Sequence, residues 1–176
     1  MGDDALKLLH RPIEGLDLPN GVNTANSICF SPDSKKMYIA DSYPKIIYSY
    51  DYEDGSSTKN EDVVTLSNKC ITCQYDKGDP DGSIVDKEGY IWNAVWGEGK
   101  INRIDPNDGN IVYTIYMPDS SLSSQVTCCC FGGPKLDILF ITSASDGINK
   151  INEPCAGALY AVKVPFQGRI ESRFIV

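Results

Sequence analysis

A carboxylate on a turn just ahead of a strand can hold a metal ion or move a proton, and Asp81-Gly82 stands in that position in the segment Gly78–Asn110, GDPDGSIVDKEGYIWNAVWGEGKINRIDPNDGN. Read locally, Asp-Gly is also an ordinary turn former. Lys77 to Glu88 runs K-x-D-x-D-G-x-I-x-x-x-E and so matches an EF-hand calcium loop at its third, fifth, sixth, eighth and twelfth places. The first ligand place, however, holds Lys77, and Cys70–Asp76 and Tyr90–Val95 read as β or irregular where an EF-hand has helices. An EF-hand would make Glu88 a bidentate ligand, whereas a strand-turn-strand unit makes it part of a tight turn.

Other chemistry-bearing residues are sparse. His10 is the single histidine, so hydrolysis through a Ser-His-Asp triad has little to draw on. The cysteines number seven, an odd count with no secretory signal ahead of them, which reads as reduced thiols rather than a disulfide framework. Cys29, Cys128, Cys129 and Cys130 lie in apolar, strand-like runs and are expected to behave as small hydrophobes. Cys70-Ile71-Thr72-Cys73 is a C-x-x-C, but the 128–130 cluster has the wrong spacing for its zinc partner and no βαβ pattern surrounds it.

The elements that must position these residues are strands. Met37–Ala40, Ile46–Asp51, Tyr90–Val95, Ile111–Tyr116, Ile138–Thr142 and Ala158–Val162 are short β-branched or aromatic runs, separated by Pro32-Asp33-Ser34, Asp54-Gly55, Glu88-Gly89, Asp108-Gly109 and Gly132-Gly133-Pro134. They repeat as a group with a period of roughly 45 to 55 residues, close to one four-stranded propeller blade. Runs such as Ile138-Leu139-Phe140-Ile141 are apolar on both faces, which suits blades stacked against blades. The expected fold is therefore all-β: one partial β-propeller domain over residues 1–176, with 1–25 ending a preceding blade and 26–78, 79–122 and 123–176 forming successive blades.

Composition excludes several classes of partner. With 24 acidic against 16 basic residues the net charge is -8, which repels nucleic acid and anionic membrane surfaces. The N-terminus carries acids where a signal peptide has basic residues, and no apolar run approaches the ~18 residues of a membrane span, so a cytoplasmic protein is expected.

Asn26-Ser27-Ile28-Cys29-Phe30-Ser31-Pro32-Asp33, followed by Met37-Tyr38-Ile39-Ala40-Asp41-Ser42, resembles a blade of the regucalcin (senescence marker protein), gluconolactonase and luciferin-regenerating-enzyme family. Pro80-Asp81-Gly82 through Asp105-Pro106 looks like the next blade in register, Cys129-Cys130-Phe131-Gly132-Gly133 with Thr142-Ser143-Ala144 like the one after, and Gly157-Ala158-Leu159-Tyr160 like a late strand of the family. The similarity is to the C-terminal half of a six-bladed propeller, of which this chain would hold about three blades. It implies a divalent metal in the central channel, Ca²⁺ first with Mg²⁺, Zn²⁺ or Mn²⁺ as alternatives, and hydrolysis of small-molecule sugar lactones. Carried over residue by residue, it makes Asn26 and Asp81 metal ligands and Asp81 the general base. Asn20 in Pro19-Asn20-Gly21 is a rival for the asparagine role, with the spacing to Phe30-Ser31-Pro32-Asp33 favouring Asn26. The segments that would supply the family's glutamate ligand and its substrate-holding arginine and asparagine are absent, and Glu14 does not sit in the glutamate motif. A non-catalytic calcium-binding or scaffold propeller is the alternative function, and open blade edges invite self-association. Trp96 is a candidate wall of the substrate pocket, with blade packing as the competing role.

Overall fold

Short β-branched runs broken by Asp-Gly and Pro-Asp turns can pair only with their sequence neighbours, and this gives antiparallel meanders throughout the computed structural model, which describes residues 22–53, 64–118 and 123–170. The first sheet is β1 (Ala25–Phe30), β2 (Lys36–Asp41), β3 (Ile46–Glu53) and β4 (Thr65–Gln74), in that order. The second is β5 (Asp79–Val85), β6 (Ile91–Trp96), β7 (Lys100–Ile104) and β8 (Ile111–Tyr116). The third has three strands among the described residues: β9 (Val126–Gly132), β10 (Ile138–Ser143) and β11 (Leu159–Lys163). The first strands of the sheets, β1, β5 and β9, pack side by side, so the sheets radiate from a common axis as propeller blades do. Among the described residues no helix is long and apolar enough to cross a membrane.

The blades are joined by two apolar cores. Tyr38, Ala40, Ile47, Cys73 and Tyr75 of the first sheet meet Val85, Ile91, Val95 and Ile104 of the second. On its other side the second sheet gives Trp92, Ala94, Ile101 and Met117 to a core shared with Val126, Cys129, Leu139, Ile141 and Val164. Alternate residues of β6 thus enter different cores, which is why Ile-Trp-Asn-Ala-Val is apolar on both faces. Ile138-Leu139-Phe140-Ile141 looks the same in sequence but is covered on one face only: Leu139 and Ile141 are buried, Ile138 and Phe140 half-buried. The outward face of the third sheet also carries Cys128, Cys130 and Leu159, all exposed. Strand alternation around buried Cys129 forces both neighbours outward, so two of the three consecutive cysteines expected as small core hydrophobes are surface thiols.

Two glycines are fixed by close approach rather than by propensity. A Cβ on Gly82 would sit 2.5 Å from Cys128 Sγ and 2.6 Å from the Thr127 carbonyl oxygen, so β5 and β9 can touch only there without a side chain. Gly109, in the turn between β7 and β8 with φ +74°, lies against the Thr72 carbonyl of the neighbouring blade.

Candidate functional site

Asp81-Gly82 is not a turn. It lies inside β5, at a break in register between Pro80 and Ser83 opposite β6. Asn26 lies at the matching break in β1, between Ala25 and Ile28. Bulges of this kind re-aim a side chain out of the sheet's alternation. Asn26, Asp81 and Cys128 each stand four residues ahead of Phe30, Val85 and Gly132, the last residues their inner strands pair before the turn. Left-handed residues Ser34, Gly89 and Leu136 follow at a matching distance on the other side, so the three inner strands and the turns after them share one spacing. The structure therefore brings Asn26 and Asp81 to one end of the inner strands, with Cys128 as the third member of the series.

The two candidate ligands are neighbours. The Asn26 amide Nδ2 donates to Ser42 Oγ at 3.3 Å, and the same amide is near enough to the Asp81 carboxylate to favour its charged form. Burial pushes the Asp81 carboxyl above its ordinary value, while the Asn26 amide and the Gly82 N–H pull it back. The supporting groups come from both blades. Ser42 Oγ donates to the Pro80 carbonyl at 2.8 Å, and Ser27 Oγ to Ser83 Oγ at 2.8 Å, which ties β1 to β5 on either side of the pair. Asn93, fully buried, donates to the Asp81 carbonyl at 3.0 Å and to Ser83 Oγ at 2.9 Å, and Tyr75 OH donates to its Oδ1 at 3.0 Å. These hydrogen bonds fix the bulged backbone of Asp81, and local pattern gave no sign of them because every partner is a strand or more away.

The donor set suits a hard cation in part. An amide and a carboxylate offer oxygen to Ca²⁺ or Mg²⁺, and Mg²⁺ in particular takes one or two carboxylates and fills its shell with water. The Asn26 amide must turn its oxygen, rather than Nδ2, toward a bound ion. Among the described residues no group of three or more His, Cys, Asp or Glu side chains is placed to hold a metal, which leaves the C-x-x-C without zinc partners: Cys73 is buried between blades and Cys70 is exposed. Burial raises Cys29 to about 12, and raises Cys73, Cys128 and Cys129 as well, so these thiols stay protonated at neutral pH. The EF-hand loop is absent as a loop, since Asp79–Val85 is strand and the Glu88 carboxylate lies 2.6 Å from Arg103 Nη2. Trp96 ends β6, half-buried and paired with Asp79. His10, Glu14 and Asn20 fall outside the described residues.

Residues 13–145 match the family described as SMP-30/Gluconolactonase/LRE-like region. The chain is 32% identical over 158 residues to regucalcin of Xenopus laevis, covering 87% of this chain and 48% of that protein. It is 34% identical over 166 residues to L-arabinolactonase of Azospirillum brasilense, covering 92% and 50%. Among solved structures, a calcium-binding protein, regucalcin from Agrobacterium tumefaciens str. C58, superimposes with a TM-score of 0.74 at 29% identity, covering 89% of this chain and 51% of that one. The chain thus spans about half the length of the relatives it matches.

Proposed function

This chain belongs to the SMP-30/gluconolactonase/LRE-like family, and on that footing we propose that Asn26 and Asp81 form its half of a metal-dependent site that hydrolyses sugar lactones. The observation that carries the proposal is the pairing of two bulges: equivalent positions of successive inner strands bring an amide beside a desolvated carboxylate at one end of the propeller axis. A divalent ion, Ca²⁺ first with Mg²⁺, Zn²⁺ or Mn²⁺ as alternatives, would be held by the Asn26 amide oxygen and the Asp81 carboxylate and would polarise the lactone carbonyl. Asp81 takes a proton from water as the water oxygen bonds to the carbonyl carbon. The ring C–O bond then breaks, and the same proton passes to the departing ring oxygen, leaving a hydroxy acid. Desolvation suits Asp81 to this work, because it strengthens the carboxylate as a proton acceptor.

Among the described residues the first and third sheets carry exposed apolar side chains. We propose that a second copy of the chain completes the ring, which the exposed Leu159 (66%) on the third sheet and Ile28 (57%) on the first support.

Acid release from gluconolactone-type substrates, measured with each added metal alongside the mass by light scattering, tests both. Asp81→Asn is expected to lower metal-stimulated hydrolysis by about 100-fold or more, the usual share of a general base, while Asn20→Ala leaves it unchanged. Equal losses in the two variants would overturn the assignment of Asn26 and Asp81. A monomeric mass at micromolar concentration would rule out ring closure by a second copy.

A further inference from the structure

The end of the inner strands away from Asp81 has the opposite charge. About 13 Å along each strand, the turns after β5 and β9 and the segment following β11 enclose an open cavity of about 740 Å³ whose lining includes Lys87, Lys135 and Arg169. Pro32, Leu136 and Gln167 form part of its wall, and no carboxylate lines it among the described residues. Nor is any of the three cations in an ion pair with a described residue. The net charge of the chain is -8, yet among the described residues three cations and no acid line this cavity, with Glu88 and Asp137 lining the adjoining one.

The cavity walls are tied together by backbone. Lys87 N–H donates to the Gln167 carbonyl at 2.9 Å and Gly168 N–H to the Leu136 carbonyl at 2.8 Å, so the segment after β11 straps the two lysine-bearing turns to each other. Arg169 is half-buried and oriented by donating Nη1 to the Ser31 carbonyl at 3.0 Å, and its guanidinium has further donors to offer a ligand. Like charges held together by structure raise the free energy of the empty site, and a bound anion offsets that cost. A fixed guanidinium and two ammonium groups suit a doubly charged tetrahedral oxyanion, since the fork gives paired hydrogen bonds and the lysines act as point charges. An extended polyanion is disfavoured by the acidic remainder of the surface.

We propose that this cavity is a binding site for a phosphate group, free or carried on a small molecule. The proposal stands apart from the lactonase function, because it uses none of the residues around Asp81. Calorimetric titration of the full chain with inorganic phosphate, and separately with a sugar phosphate, tests it, with amide chemical shifts of Gly133 and Gly168 as the structural readout. Saturable binding is expected that weakens about fivefold in Lys87→Ala and in Lys135→Ala and further in the double variant. Lys100→Ala, whose lysine pairs with Glu98 outside the cavity, should bind as the parent does. Tighter binding of the sugar phosphate would identify the carried group as the ligand; equal affinities would identify free phosphate. Adding a chelator should change nothing, which separates this site from the metal site. Equal affinity in the parent and the double variant, or no saturable binding of either probe, overturns it.

Discussion

Two aspartates at opposite ends of β5 have opposite surroundings. Asp86 is fully buried, and each of its carboxylate oxygens is doubly satisfied: Oδ1 accepts from the Glu88 and Tyr90 N–H groups at 2.9 and 3.0 Å, and Oδ2 from Trp92 Nε1 at 2.9 Å and Arg103 Nε at 2.8 Å. Arg103 in turn is sandwiched between the rings of Tyr90 at 3.7 Å and Phe166 at 3.9 Å, and its Nη2 reaches Glu88. Asp81 is only partly buried and has a side-chain amide and one backbone N–H against its desolvation. A carboxylate with every lone pair used has no capacity left for a cation, whereas an under-satisfied one does. The difference separates a structural anchor from a site better than residue type does, since both are Asp, one at the bulge within β5 and one just past its end.

Removing the anchor should have the largest effect. Asp86→Ala leaves the buried Arg103 with only the exposed Glu88 carboxylate as countercharge and strips Trp92 Nε1 of its acceptor, which is expected to cost about 3–5 kcal/mol of unfolding free energy in urea titration. The Trp92 side chain sits against Tyr113, Phe131 and Phe166, so near-ultraviolet circular dichroism should fall with it. A loss below about 1 kcal/mol would mean that the network is no better satisfied than a surface pair, and the contrast with Asp81 would collapse.

At the other end of the strand the sign reverses. Burial makes the ionised Asp81 carboxylate costly in the metal-free protein, but the group is only part-buried and water screens much of that cost, so Asp81→Asn should stabilise the chelator-treated protein by less than about 1 kcal/mol at pH 7. Because the folded-state value lies above the unfolded one, the folded protein holds the Asp81 proton more tightly. That contribution is complete below the ordinary value of 3.8 and is lost as pH rises through the raised one. The advantage of the variant should therefore fade as the medium is acidified, and a gain that grew toward low pH would contradict the desolvation of Asp81.

How far the sequence discloses this depends on whether a residue's partners are near in the chain. The hairpin Met37–Ala40 with Ile46–Asp51, and the strands Ile111–Tyr116 and Ile138–Thr142, are legible from alternation and turn residues and lie within β2, β3, β8 and β10. β4, Thr65–Gln74, is polar enough (TLSNKCITCQ) that no apolar pattern marks it. Asp81-Gly82 reads as a turn because that is what Asp-Gly does locally, whereas its bulge exists because β9 passes against Gly82, a contact between blades. The anchoring role of Asp86 has no local sign either, since Trp92 and Arg103 reach it, and Phe166 covers Arg103, only after several strands and two blades have folded. The exposed Cys128 and Cys130 depart from the expectation of small hydrophobes, because alternation buries only one face of three consecutive cysteines.

The smallest expected effect falls on Glu88, and it tests the comparison from outside. Glu88 lies at the rim of the Asp86 network, its side chain 62% exposed, and a pair half in water contributes little even at 2.6 Å. Arg103 keeps Asp86 and its two flanking rings without it. Glu88→Gln should therefore lower stability by less than about 1 kcal/mol in the same urea titration, several times less than Asp86→Ala. The substitution also bears on calcium, because an EF-hand over Lys77–Glu88 would need this carboxylate as its bidentate twelfth-place ligand. With Asp79–Val85 in a strand and Glu88 engaged by Arg103, Ca²⁺ affinity measured by calorimetry should be unchanged in Glu88→Gln and reduced in Asp81→Asn. The reverse pattern would move the cation from the Asp81 end of β5 to the Asp86 end, and the two aspartates would exchange roles.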